Sequence, residues 1–151
     1  MAPLMIALGV VEVTTANAAP VKFDVGEYAA TTTQSGHFKF KIEAHTAKDN
    51  CGTSASSHCF IAITYPTFTE PCPGGQPMTG TFSVPNGFVS AQGNFSYHQA
   101  RNGTQEPLIQ FQAHAAGAVV TGTFREEDDT TTGSTTTTCD TGTVHWTARR
   151  A

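Results

Sequence analysis

Apolar residues recur at every second position in several short stretches, and no window of eleven or more residues sustains a 3.6-residue apolar period. In His37-Phe38-Lys39-Phe40-Lys41-Ile42-Glu43, the side chains of Phe38, Phe40 and Ile42 fall on one side of an extended chain and the polar ones on the other. Ile109, Phe111 and Ala113 alternate with Gln110, Gln112 and His114 in the same way, as do Val144, Trp146 and Ala148 with Thr143, His145, Thr147 and Arg149. Less regular strands are predicted at residues 21–25, 28–33, 60–65, 80–84, 87–91, 93–98 and 118–125. Turn chemistry separates them: Gln34-Ser35-Gly36, Pro71-Cys72-Pro73-Gly74-Gly75, Pro85-Asn86-Gly87 and Asn102-Gly103. The pattern predicts an all-β fold, a single antiparallel β-barrel or sandwich of about 7–10 short strands.

A glycine two positions before an aromatic recurs at Gly36/Phe38, Gly80/Phe82, Gly93/Phe95 and Gly122/Phe124, with Gly26/Tyr28 as a fifth case. The spacing between these pairs is irregular, so they are strand grammar and not a repeat. Residues 126–138, Glu-Glu-Asp-Asp followed by threonines, Gly133 and Ser134, contain no apolar side chain. With nothing to bury, this segment is expected to be a long exposed acidic, Thr-rich loop between the last two strands.

The amino-terminal stretch changes the picture of location. Pro3 to Val11 is an apolar run followed by Ala16-Asn17-Ala18, which reads as residues 1–18 forming a signal peptide cleaved after Ala18, with residues 19–151 as one domain. No Lys or Arg precedes the run, so the competing reading makes residues 4–11 a first strand. The run is too short for a membrane span, which needs roughly twenty apolar residues. The four cysteines, Cys51, Cys59, Cys72 and Cys139, are even in number and favour disulfides in an oxidising, extracytoplasmic compartment. Three pairings are possible; Cys51–Cys59 closing a small loop and Cys72–Cys139 joining distant strands is the one favoured. A metal cluster of Cys51, His58, Cys59 and Cys72 lacks the C-x-x-C spacing of structural zinc sites.

Composition excludes more than it assigns. Of 151 residues only 13% are charged and 38% are hydrophobic, and threonine, at 25, is the commonest residue. Eight Lys and Arg against twelve Asp and Glu give a formal charge of −4, so no basic field exists to hold nucleic acid.

The carboxyl-terminal run Cys139-Asp-Thr-Gly-Thr-Val-His-Trp-Thr-Ala-Arg149 resembles the closing strand of small exported β-rich domains of actinobacterial type, as do Gly26-Glu-Tyr28 and Gly122-Thr-Phe124 more loosely. The resemblance covers residues 26–149, with only the last eleven specific. It implies a β-rich, secreted domain and carries over no catalytic residue.

The search for chemistry is mostly negative. No serine sits in Gly-x-Ser-x-Gly, and no glycine-rich phosphate loop is present. By alternation His37, His98, His114 and His145 belong to the outer face, where scattered imidazoles are expected in place of a metal site. The acids Glu126, Glu127, Asp128 and Asp129 lack the spacing of a calcium loop, and the others, Glu70 among them, read as isolated, so no carboxylate pair of the glycosidase kind is expected. Tyr65, Phe68 and Phe88 fall outside the clean alternation and are the candidates for facing a ligand. Trp146 reads as core. The expectation is therefore a monomeric, exported, non-enzymatic β-domain without cofactor or metal, a binding or surface-interaction module for a small molecule, glycan or protein. A small extracytoplasmic hydrolase and a structural cell-envelope component are the alternatives.

Overall fold

The computed structural model describes residues 19–46, 51, 58–102 and 106–151. The proposed signal segment, residues 1–18, lies outside them. Among the described residues there are eleven strands and no helix: β1 Gly26–Thr32, β2 His37–Ala44, β3 His58–Ala62, β4 Thr67–Glu70, β5 Met78–Thr81, β6 Gly87–Val89, β7 Asn94–Gln99, β8 Leu108–Ala116, β9 Val119–Thr132, β10 Thr135–Asp140 and β11 Val144–Arg150. Eight of them form one antiparallel path, β6-β3-β2-β1-β11-β9-β8-β7, with β10 as a further partner of β9. The two ends of this path, β6 and β7, follow each other in sequence and are joined by a tight turn in which Ser90 N–H donates to Asn94 O and Gly93 N–H to Ser90 O. The sheet is thus a nearly closed barrel, and β4 and β5 form a separate two-stranded ribbon.

The alternation read from sequence is the alternation that packs. Phe38, Phe40 and Ile42 of β2 are at most 3% exposed, and Ile109, Phe111, Ala113, Val144, Trp146 and Ala148 are buried with them. The interior is a stack of rings: Phe111 meets Phe38, Phe60, Phe82, Phe95 and Trp146, and Phe60 stacks on Phe95 at 4.4 Å between centroids. This closes the barrel through side chains where β3 and β7 share no hydrogen bonds. Such ring pairs add roughly 0.5–1.5 kcal/mol each beyond their buried area. Gly122 is required by this stack, because a Cβ there would collide with the Trp146 ring lying across it and with the Gln112 carbonyl. The buried Trp146 Nε1–H has no acceptor among the described residues, a cost that the surrounding ring contacts must offset.

Three local expectations are corrected. Residues 126–138 are not a loop. β9 runs on to Thr132 and pairs with β10 from Thr132↔Thr135 to Glu127↔Asp140. Threonine is β-branched and fits an extended chain, and cross-strand threonines pair directly, with Thr131 Oγ1 and Thr136 Oγ1 3.2 Å apart. Gly133, at φ +65°, opens the two-residue turn. Residues 21–25 form no strand and make only an isolated bridge, Phe23↔Gly117. The strand expected at 80–84 ends at Thr81, although Phe82 and Val84 still enter the core.

Candidate functional site

The β4–β5 ribbon crosses one end of the barrel, and three kinds of bond attach it. At the β1–β2 turn, Gln34 acts as a short strand: its Nε2 donates to Thr69 O and its Oε1 accepts from Thr69 N–H. Gly36 is needed beside it, since a Cβ would strike the Thr67 carbonyl. Beyond the other end of β4, the Cys72–Cys139 disulfide ties the chain to β10, and Asp140 N–H donates to Pro71 O. Between these, Phe68 packs inward on Phe82, which reaches Phe111 and Phe124 of the barrel.

The outer side of the ribbon and the β1–β2 turn enclose a trough of about 470 Å³ lined by Gln34, Ser35, Gly36, Thr67, Phe68, Thr69, Thr79, Gly80 and Thr81. Its polar lining comes from neutral groups. The register Thr67↔Thr81 and Thr69↔Thr79 sets four exposed threonines in a rectangle. Directly opposed β-carbons lie about 4.5–5.5 Å apart, so the hydroxyls form a compact donor and acceptor array. Tyr65, two residues before Thr67, is 46% exposed. A second depression is lined by Ala29, Thr31, His37, Lys39 and Thr64, among others.

The same ribbon carries the molecule's one buried acid pair among the described residues. Glu70, the last residue of β4, and Glu126 of β9 are 1% and 4% exposed. Alternation puts them there: Glu70 shares the inward face of β4 with Phe68, and Glu126 the inward face of β9 with Phe124. Glu70 Oε1 and Glu126 Oε2 are buried without a hydrogen-bond partner, and a side-chain hydrogen bond links the two carboxyls. Burial pushes both up. Glu126 is pushed up to about 9 by burial, by its hydrogen bond to Glu70, and by the negative charge of Glu70 and Asp128. Glu70 is raised by burial and by Asp128, Asp140 and Glu127, against the bond from Glu126.

Around the pair the acids expected to be solvated are engaged by arginine. Arg101 places Nη1 2.9 Å from Asp129 and Nη2 2.8 Å from Glu127. Arg125 grips Asp140 through Nε at 3.0 Å and Nη2 at 2.7 Å, and also meets Glu127. The Arg125 hydrogen bonds, with the Gly142 N–H, hold the Asp140 carboxyl below its usual range.

The sequence candidates separate clearly. Both favoured disulfides, Cys51–Cys59 and Cys72–Cys139, are present. Tyr65 is exposed, whereas Phe68 is 7% exposed and packs on Phe82 in the core while also lining the trough. Phe88, half-buried on β6, packs edge-on against His45. His37, His98, His114 and His145 are all exposed, and His114 bonds Asn94 at 2.9 Å. The one group of three potential metal ligands among the described residues is His45 with Cys51 and Cys59, whose sulfurs are joined to each other. The expectation that Glu70 is isolated and Glu126 lies on an exposed loop is overturned by their burial together. No family model, curated protein or solved structure matches the chain.

Proposed function

We propose that the protein is an exported, non-catalytic binding domain whose trough takes a neutral, hydroxyl-rich ligand of the carbohydrate class. The observation that carries this reading is the trough's polar lining, in which Thr67, Thr69, Thr79 and Thr81 present hydroxyls with no ionisable group among the lining residues. Such a surface exchanges hydrogen bonds with water for hydrogen bonds with a polyol at little desolvation cost, whereas a charged ligand would find no counter-charge. Tyr65, two residues before Thr67 in the chain, supplies an exposed ring, an apolar face on which a sugar ring can lie. The two disulfides agree with an oxidising destination. A hydrolase would need its paired carboxyls open to substrate, and Glu70 and Glu126 are closed off beneath the ribbon.

Glycan-array screening followed by calorimetry tests the reading. Binding should weaken about tenfold in a Thr69→Val/Thr79→Val variant, the scale of one or two lost hydrogen bonds. Tyr65→Ala should weaken it as well. An array with no bound glycan, affinity indifferent to these substitutions, or release of cleaved product would each overturn it.

A further inference from the structure

We propose that Glu70 and Glu126 form a proton-sharing clasp that fastens the β4–β5 ribbon across the barrel end and loosens when its proton is lost. The two carboxyls come from different sheets, Glu70 from the ribbon and Glu126 from the barrel wall, so the side-chain hydrogen bond between them spans the seam between these bodies. Each is sealed from water, and each has an oxygen that no neighbouring donor satisfies. A bare carboxylate in that position would carry the cost of an unpaired buried charge, and two would repel at close range. One proton between them satisfies both.

The surroundings make loss of that proton consequential. From β9 the pair faces Asp128, and Glu70 also feels Glu127; from β10 Glu70 feels Asp140. Arg101, after β7, is the cation acting on Glu126, and its guanidinium is already bonded to Glu127 and Asp129. Arg125 is likewise held by Asp140 and Glu127. Full ionisation therefore sets two carboxylates against each other among further acids whose cations are engaged. The ribbon's other fasteners, the Gln34–Thr69 hydrogen bonds and the Cys72–Cys139 disulfide, do not titrate in the same range. The clasp gives the ribbon a pH response that the barrel lacks, with the disulfide keeping it tethered when it loosens. This holds whatever occupies the trough.

Native-state hydrogen exchange, expressed as protection factors, tests the clasp. Between about pH 5 and about pH 9, protection of the Thr67–Glu70 and Met78–Thr81 amides should fall at least about tenfold relative to β8 and β11 in the wild type. In Glu126→Gln, whose amide donates as the protonated acid does, the ribbon's protection should stay level over the same range. Gln34→Ala should lower ribbon protection equally at every pH, which separates general loosening from the proton-linked kind. A wild-type ribbon whose protection tracks the barrel across the range, or a Glu126→Gln ribbon that keeps the wild-type slope, overturns the proposal. The wild-type comparison decides by itself if the variant does not fold.

Discussion

The barrel interior and the ribbon seam bury side chains equally well but by different physics. Inside the barrel, Phe40, Phe60, Phe111 and Trp146 pack ring against ring, and their stability comes from area removed from water and from ring geometry. At the seam, Glu70 and Glu126 are equally hidden yet tolerable only while a proton is present. Burial alone is thus a poor guide to what holds an element in place. The first region is indifferent to solution conditions, whereas the second is tied to them.

The largest test of this contrast is Phe111→Ala. Phe111 is fully buried at the centre of the ring stack, and its truncation should cost about 3–5 kcal/mol, read as a drop in the urea midpoint that is the same in mild acid and mild base. A strongly pH-dependent cost would blur the two regions.

The pH profile of stability comes next. Glu126 has its folded value raised to about 9, above its ordinary 4.5, so its contribution is fully present below the ordinary value and is lost as pH rises toward the folded one. Asp140 has its value lowered by Arg125 and Gly142, so its contribution is present above the ordinary 3.8 and lost as pH falls through the folded value. Maximal stability is therefore expected in mild acid, with an alkaline decline on the order of 1–3 kcal/mol, the scale of one unsatisfied buried group. Urea titrations across pH should show that decline in the wild type and its removal in Glu126→Gln.

The smallest effect belongs to the exterior. Lys39 meets Glu27 at 3.3 Å, with both side chains about half exposed, and Lys39→Ala should change stability by less than about 0.5 kcal/mol in thermal melts. A larger loss would mean that the outer face carries weight that neither region explains.

The barrel was largely legible in the sequence because period-two alternation is a local signal. The rings of β2, β8 and β11 declare their inward face within seven residues. The hairpin of β9 and β10 was illegible for the opposite reason. Its threonines have no apolar partner to reveal a face, and the ladder is held by cross-strand hydroxyls, by Arg101 and Arg125, and by Cys139. The acid pair left a trace that reading by charge passed over. Glu70 stands two residues after Phe68, and Glu126 two after Phe124, so alternation carried through the acids would have turned both inward. That they meet each other depends on the ribbon's path over the barrel, which no local pattern states. The trough is illegible for the same reason, since its threonines come from β4 and β5 and its far wall from a turn some thirty residues earlier in the chain.

The pairing of β1 with β11 brings Tyr28 opposite Arg150, and Ala151 N–H donates to Glu27 O. The first and last strands are therefore side-by-side staves of the wall, with Gly26 and Arg150 at the pole away from the ribbon. A short peptide bridge between those points, with new termini cut at Gly133–Ser134, would give a circular permutant that retains every pairing between the strands β1 to β11 and loses only the Phe23↔Gly117 bridge with its neighbouring hydrogen bonds.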